Sequence, residues 1–471
     1  MGDVMTKLTS AALLGHLVHV RKGEATAMLW SFAYFFCLLC GYYILRPVRD
    51  EMGIQGGVEN LQWLFTGTFV TMLAAVPLFG WVSSRYPRRK LLPIVYLFFV
   101  ANLLIFYVVL QFRIAPTFTA QAFFIWVSVF NLFVVSVFWS FMADLYRNEQ
   151  ARRLFGFISA GGSLGALSGP IVTAILAPAT GPANLLPLSA CLLLLAVLCI
   201  YRLAGRVARN PGEQAEIGRR AAEQPIGGNI FAGVTAALKS PYLIGIGVYV
   251  VLGTVLATFL YFHQAYIVSM AISDSGRRTA LFAQIDLAVN VLTLVCQLFV
   301  VNRLIGRFGI GTTLMVLPVL AVAGFFLIGL APTLTVLVAF QVLRRAGEYA
   351  IARPAREILF TVLNREEKYK SKNFIDTVVF RGGDAVSGWL FEGLRILGLG
   401  FSGIAFVGVP IALLWAGTGW MLGRTQEEMR KTQEWRRRTD ASETVQAAAP
   451  QNSAGIGGMG SVDGDGQPVI R

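Results

Sequence analysis

Residues 26–49 read TAMLWSFAYFFCLLCGYYILRPVR, and no charge interrupts them before Arg46. At about 1.5 Å of rise per residue, a helix of roughly 20 uncharged residues matches the ~30 Å hydrocarbon core of a bilayer. Eleven further apolar windows follow: Leu61–Val82, Leu91–Leu110, Phe118–Met142, Phe155–Leu176, Leu185–Leu203, Tyr242–His263, Thr279–Val301, Thr312–Leu330, Leu334–Ala352, Phe374–Ile396 and Gly400–Leu422. The expected fold is all-α: a polytopic membrane protein of twelve transmembrane helices. Composition agrees, since 55% of the 471 residues are apolar and 14% are charged, against about 25% charged in a soluble domain. A string of soluble domains and a largely disordered chain are both excluded.

Around these spans the chain divides into a segment 1–25, a six-helix half 26–203, a polar linker 204–240, a second six-helix half 241–422 and a tail 423–471 expected to be disordered. Residues 8–20 suit a short helix lying on the membrane surface. No cleavable leader is expected, because His16 and His19 break the early apolar run.

The formal charge of +14 arises from 40 Lys and Arg against 26 Asp and Glu. Counted with the span ends that adjoin them, 33 basic residues fall on the side of the termini and 6 on the other, with Arg381 inside a span. Basic loops stay in the cytoplasm. The split therefore predicts cytoplasmic termini, a bacterial inner membrane protein, and a positive charge owed to topology and not to nucleic acid. The five cysteines lie in apolar stretches. Cys37 and Cys40 form a C-x-x-C pair without a second pair or a nearby His, so no disulfide framework, metal or cofactor is expected. No phosphate loop, G-x-S-x-G or H-E-x-x-H motif occurs, which argues against an ATP-driven pump or a membrane hydrolase.

Two landmarks recur. Arg85-Tyr86-Pro87 follows the second span, and Arg307-Phe308-Gly309 follows the eighth, 222 residues later. Gly161-Gly162-Ser163 in the fifth span is matched by Gly382-Gly383-Asp384 in the eleventh, 221 residues later. Two parallel six-helix halves, an arrangement associated with alternating-access transporters, account for both offsets.

Gly80-Trp81-Val82-Ser83-Ser84-Arg85-Tyr86-Pro87-Arg88-Arg89-Lys90 resembles the loop 2–3 signature of the major facilitator superfamily, with Ser84 in place of its Asp and Pro87 in place of its second Gly. Gly161, Gly165, Gly169 and Pro170 look like that superfamily's glycine-rich packing helix, in which small residues let helix backbones approach. Two further stretches, Leu45-Arg46-Pro47-Val48-Arg49-Asp50 and residues 365–376 (REEKYKSKNFID), resemble the ATP:ADP antiporter family. That resemblance implies nucleotide exchange. The chain departs from the family at three points: Arg49 stands where the family has Lys, residues 118–142 lack its Glu, and Asp384 lies near the place of its second Lys.

Charges inside spans cost about 2.5–3.5 kcal/mol each at mid-bilayer and normally face a bundle interior. The candidate ligand-binding set is Arg46, Arg49, Arg344, Arg381, Asp384 and Asn290, with Asp286 and Glu348 as candidate ion-coupling groups and Arg85, Arg88 and Arg307 as candidate gate residues. Asp286, Asn290, Thr293 and Gln297 share one helical face, which suits either a water-filled cavity or interhelical hydrogen bonds. Arg344 and Glu348 are spaced i,i+4 and are expected to pair, with Arg345 beside them. Arg381 and Asp384 are three apart. Arg46, Arg49 and Asp50 line a cavity only if the first helix continues past Pro47. His263 is expected in a polar belt at the membrane interface. Lys368, Lys370 and Lys372 read as orientation signals.

The arginine forks suit phosphate or carboxylate. The expected protein is therefore a monomeric secondary transporter, not an enzyme, moving a small anionic solute through the lipid bilayer by alternating access. The alternatives are a proton-coupled exporter in which Asp286 or Asp384 titrates, and a non-transporting membrane protein such as a lipid scramblase.

Overall fold

The computed structural model describes residues 24–85, 88–208 and 240–448. Twelve helices account for them. The first half comprises α1 (Ala25–Gln55), α2 (Leu61–Arg85), α3 (Arg88–Gln111), α4 (Pro116–Leu145), α5 (Asn148–Thr180) and α6 (Leu185–Ala208). The second comprises α7 (Pro241–Ala271), α8 (Ser275–Phe299), α9 (Val301–Leu330), α10 (334–359), α11 (365–396) and α12 (Phe401–Ala448). Among the described residues, ten helices are individually long and apolar enough to cross a membrane. The other two, α10 and α11, are interrupted by π-helical turns at Glu348–Ala352 and Ile375–Val379. These two carry Arg344, Arg345, Glu348, Arg381 and Asp384, while Asp286 lies on α8.

The apolar residues form two main cores. One runs from Met28 to Leu203 within α1–α6. The other gathers α7–α12 and also takes in Ile54, Leu61, Leu64 and Phe124 of the first half. Large side chains such as Phe98, Ile175 and Leu414 stand 60%, 68% and 64% exposed on the outside, where a soluble protein would present polar groups and a membrane protein meets lipid.

The fifth helix packs backbone to backbone on the first. A Cβ at Gly161 would sit 2.5 Å from the Phe32 carbonyl oxygen, one at Gly165 2.5 Å from that of Phe36, and one at Gly169 2.7 Å from that of Cys40. The second half repeats the relation more loosely, with Gly383 of α11 facing Thr254 of α7. The earlier of the two other landmarks closes α2 at Arg85, while Arg307-Phe308-Gly309 leads to a break in α9, where Gly309 leaves helical geometry at φ 76°.

Three expectations about segments need correction. The linker was expected to begin at residue 204, but α6 continues to Ala208; residues 209–239 lie outside the described residues. The tail was expected to be disordered from residue 423, but α12 is helical to Ala448. Arg430 pairs with Glu427 and Glu434, Lys431 pairs with Glu427, and Gln433 donates to the Val362 carbonyl. Such i,i+3 and i,i+4 pairs support a polar helix beyond its apolar stretch. His263 is no interfacial residue. It is fully buried among Phe325, Phe391 and Phe401, with Nδ1 2.7 Å from the Phe259 carbonyl oxygen and Nε2 2.8 Å from that of Phe401. The proposed surface helix at residues 8–20 lies outside the described residues.

Candidate functional site

A proline inside a helix removes one hydrogen bond and clashes with the preceding turn. Yet α1 passes Pro47 unbroken to Gln55, held by burial against its neighbours. Arg46, Arg49 and Asp50 therefore sit within the bundle, on the wall of a central cavity of about 300 Å³. Tyr42 of α1, Phe65 of α2 and Val127, Ser128 and Asn131 of α4 complete the first-half wall. The opposite wall comes from α7 (Tyr249 to Gln264), α10 (Gln341 to Arg356), α11 (Phe380, Arg381 and Asp384) and Trp415 of α12.

Seven arginines line this cavity: Arg46, Arg49, Arg344, Arg345, Arg353, Arg356 and Arg381. The lining carboxylates are Asp50, Glu348 and Asp384. Asp286 stands behind the wall, 1% exposed, with Oδ1 2.6 Å from Arg345 and 3.5 Å from Arg46. Asp376 pairs with Arg356 at 3.5 Å in the same way, so with all groups ionised seven cations face five anions, an excess of two positive charges.

The individual bonds show which cations are committed. Arg49 donates to Ser128 and to Asp50, and its guanidinium lies 3.8 Å from the centre of the Phe124 ring. Tyr261 donates to Asp50 at 3.1 Å. Arg381 and Asp384 form the expected i,i+3 pair at 3.6 Å, and Thr258 donates to Asp384. Arg344, by contrast, has no carboxylate within bridging distance among the described residues, and its Nε is buried without a partner. The expected Arg344–Glu348 pair is replaced by Arg353–Glu348 at 3.7 Å. The π turn at Glu348–Ala352 explains the exchange: its i→i+5 geometry brings residue 353 over residue 348, and Arg344 is left facing the cavity.

The polar stripe on α8 does not line the cavity. Asn290 donates to the Ala166 carbonyl of α5 at 2.8 Å, Gln297 reaches the Tyr349 carbonyl, and Asp286 is consumed by two arginines. The stripe faces neighbouring helices, and Asn290 lies outside the cavity lining, in the seam between halves. Among the candidate gate residues, Arg85 stacks on Trp81 of its own helix and Arg307 lies 5.8 Å from the Phe308 ring centre. The Arg88 side chain lies outside the described residues.

Arg353 and Arg356 were missed because the apolar window ends at Ala352. The signal was present: Gln341, Arg345, Glu348, Ala352 and Arg356 continue one helical face. Both arginines also border a second cavity of about 350 Å³ between α2, α4, α10 and α11, which shares Phe380 and Arg381 with the first. This vestibule lies toward the end of the bundle that carries the termini.

The opposite, distal end is shut. Glu51 of α1 is fully buried and takes a two-pronged bond from Arg278 of α8 at 2.6 and 2.7 Å. Trp389 of α11 donates to Thr66 of α2 and stacks edge-on against Trp63 at 4.7 Å. A Cβ at Gly276 would sit 2.5 Å from the Ala177 carbonyl oxygen. Among the described residues, no three His, Cys, Asp or Glu side chains gather as a metal site requires.

Residues 26–352 match the model of the Major Facilitator Superfamily. Solved structures share the fold. A bacterial homologue of the iron transporter ferroportin, in an inward-facing state, aligns at 12% identity and TM-score 0.61, covering 84% of this chain and 98% of that one. A POT family transporter aligns at 13% identity and TM-score 0.60, covering 86% and 98%. A D-xylose-proton symporter aligns at 14% identity and TM-score 0.56, covering 83% and 97%. No curated protein matches the sequence. With twelve helices in two six-helix halves, a charged cavity between them and a family match over most of its length, the chain belongs to the Major Facilitator Superfamily and is an integral membrane transporter, not an enzyme.

Proposed function

We propose that this chain is a monomeric secondary transporter of small organic anions, phosphate monoesters or carboxylates. It works by alternating access between its halves, 26–203 and 241–422, joined by a cytoplasmic linker. The observation that carries this reading is the arginine excess on the cavity wall, with no carboxylate within bridging distance of Arg344 among the described residues. A partly buried cation without a close carboxylate is costly, and a bound anion relieves that cost. Arg46, Arg49, Arg344 and Arg381 hold the cargo, and Asp384 sets the local field through Arg381. Asp286 acts as the internal counter-ion of Arg46 and Arg345 when the cavity is empty, and Glu348 does the same for Arg353.

The conformation is closed distally, with a vestibule toward the termini bordered by Arg353, Arg356 and Arg381 and by Glu357 and Asp376. The basic-residue asymmetry supports a cytoplasmic face there, in a bacterial inner membrane. Arg85, Arg88 and Arg307 lie at or near that face and would meet acidic or carbonyl partners when it closes.

The test is uptake into proteoliposomes loaded with phosphate, a nucleotide or nothing. Anion uptake stimulated by internal anion supports exchange. Uptake of neutral solutes alone, with anions inert, refutes the proposal. Nucleotide exchange is the finer reading implied by residues 45–50 and 365–376. Arg353 and Arg356 favour it by adding cationic charge, offset in part by Glu348 and Asp376, whereas a cavity at the small end of ligand pockets, roughly 300–1,000 Å³, favours a smaller anion. ATP binding tighter than that of a monophosphate ester would select the nucleotide.

A further inference from the structure

Gln264 of α7 and Gln341 of α10 both line the cavity and are almost wholly buried, 3% exposed each. They share one hydrogen bond, from Gln341 Nε2 to Gln264 Oε1 at 2.6 Å. Gln341 Oε1 is buried without a partner, and no bond from Gln264 Nε2 is present among the described residues. The amide orientations can be exchanged without altering this conclusion. One bond between two amides always leaves one oxygen and one NH₂ group over.

Buried polar groups in native proteins are nearly always satisfied, and an exception calls for a ligand, a water or an ion. The leftover pair has a definite chemistry. A hydroxyl both donates and accepts, so a single hydroxyl can donate to the free amide oxygen and accept from the free NH₂.

Position along the cavity adds direction. Gln341 precedes Arg344 and Arg345 by three and four residues on α10, about 5–6 Å of helix rise and on the same face. It lies toward the closed distal end, whereas Arg353 and Arg356 lie toward the vestibule. Toward its closed end the wall carries these two amides beside the Arg49–Asp50 pair, and toward the vestibule it carries the remaining arginines with Glu348 and Asp384. A cargo approaching through the vestibule meets arginines first and amides last.

We propose that Gln264 and Gln341 form a hydroxyl-reading subsite, so that the cargo is a hydroxylated organic anion whose hydroxyl leads into the closed end while its phosphate or carboxylate stays with Arg344 and Arg345. A spacer of two or three carbons spans the rise between the two groups. This inference rests on the anion-transport reading and narrows it. Asp50, bonded to Arg49 and Tyr261, borders the same end and is the alternative reader of a cargo head group, one that would select an ammonium.

The test is binding to the purified full-length protein at fixed moderate salt. Ethyl phosphate, 2-hydroxyethyl phosphate and 2-aminoethyl phosphate share one anion and differ only at the far end. Propionate and 3-hydroxypropionate repeat the first comparison with a carboxylate and decide which anion the arginines prefer. The hydroxylated member of each pair should bind about tenfold more tightly, as expected for one or two added hydrogen bonds. Gln341→Met and Gln264→Met, which keep volume and remove both hydrogen-bonding groups, should reduce that ratio to between one and two, and a ratio still near ten in the folded variants overturns the assignment to these residues. A ratio near one in the wild-type protein, which needs no variant to fold, overturns the subsite while ethyl phosphate binding leaves the anion reading intact. Preference for the aminoethyl ester also overturns it and moves recognition to Asp50. Absence of binding by every anion overturns the anion reading and this inference together.

Discussion

Replacing Arg278 by Ala would strand Glu51, a carboxylate with no solvent exposure. Its one remaining side-chain partner among the described residues would be Gln55, whose Nε2 donates at 2.9 Å. Removing one member of a buried ion pair costs about 3–5 kcal/mol. The Arg278 side chain retains 12% exposure, so the lower figure applies, about 3 kcal/mol. The bond joins α1 of one half to α8 of the other at the distal end. Its loss therefore penalises the distally closed state, and the penalty vanishes where the halves part and water reaches Glu51. At about 1.4 kcal/mol per factor of ten, the balance between distally closed and distally open forms shifts roughly a hundredfold toward the open one. The assay is a cysteine placed at Asn131 on the cavity wall, in a protein lacking its own five cysteines, labelled from the distal side by an impermeant thiol reagent. Arg278→Ala should raise the labelling rate by one to two orders of magnitude, and exchanging the two charges, Glu51→Arg with Arg278→Glu, should lower it again. Unchanged labelling in a folded Arg278→Ala protein would show that this bridge does not hold the distal gate.

Arg381→Ala should abolish anion transport while leaving membrane insertion intact, since Arg381 lines the cavity beside Asp384; normal uptake by a well-folded variant would remove Arg381 from the site. Gly165→Ala should lower the melting temperature in detergent, since the new Cβ would lie 2.5 Å from the Phe36 carbonyl oxygen and 2.9 Å from the Cys40 nitrogen, an overpacking worth about 1–3 kcal/mol; an unchanged melting temperature would mean that α1 and α5 separate freely. A cysteine at Asn184, in the exposed α5–α6 connection where Gln111 donates to it, should react from outside the cell, and one at Gln214 should react only after permeabilisation; the reverse pattern would invert the topology.

The twelve helices were legible because each crossing must bury about 20 apolar residues in a row. The Arg381–Asp384 pair was equally legible, since i,i+3 neighbours meet in any helix. Local spacing failed where the helix itself changed. Arg344 and Glu348 have the spacing of a pair, yet the π turn at Glu348–Ala352 delivers Arg353 to Glu348 instead. The same turn carries α10 beyond its apolar window and brings Arg353 and Arg356 to the cavity, so the sequence reading undercounted the positive charge.

By itself the sequence determined that the chain is a helical membrane protein of two repeated halves, that its spans carry arginines and acids at matching depths, and that glycines at i, i+4 and i+8 leave α5 free to press on another backbone. Only the tertiary structure decided what each polar face meets. It turned the α8 stripe, Asn290 included, toward α5 and α10, sealed His263 among aromatic rings, and brought Gln264 to Gln341 across 77 residues of chain. The physical reason is that helical periodicity fixes which residues share a face, whereas the partner of that face depends on how twelve helices pack, and that packing is set by contacts between residues far apart in sequence.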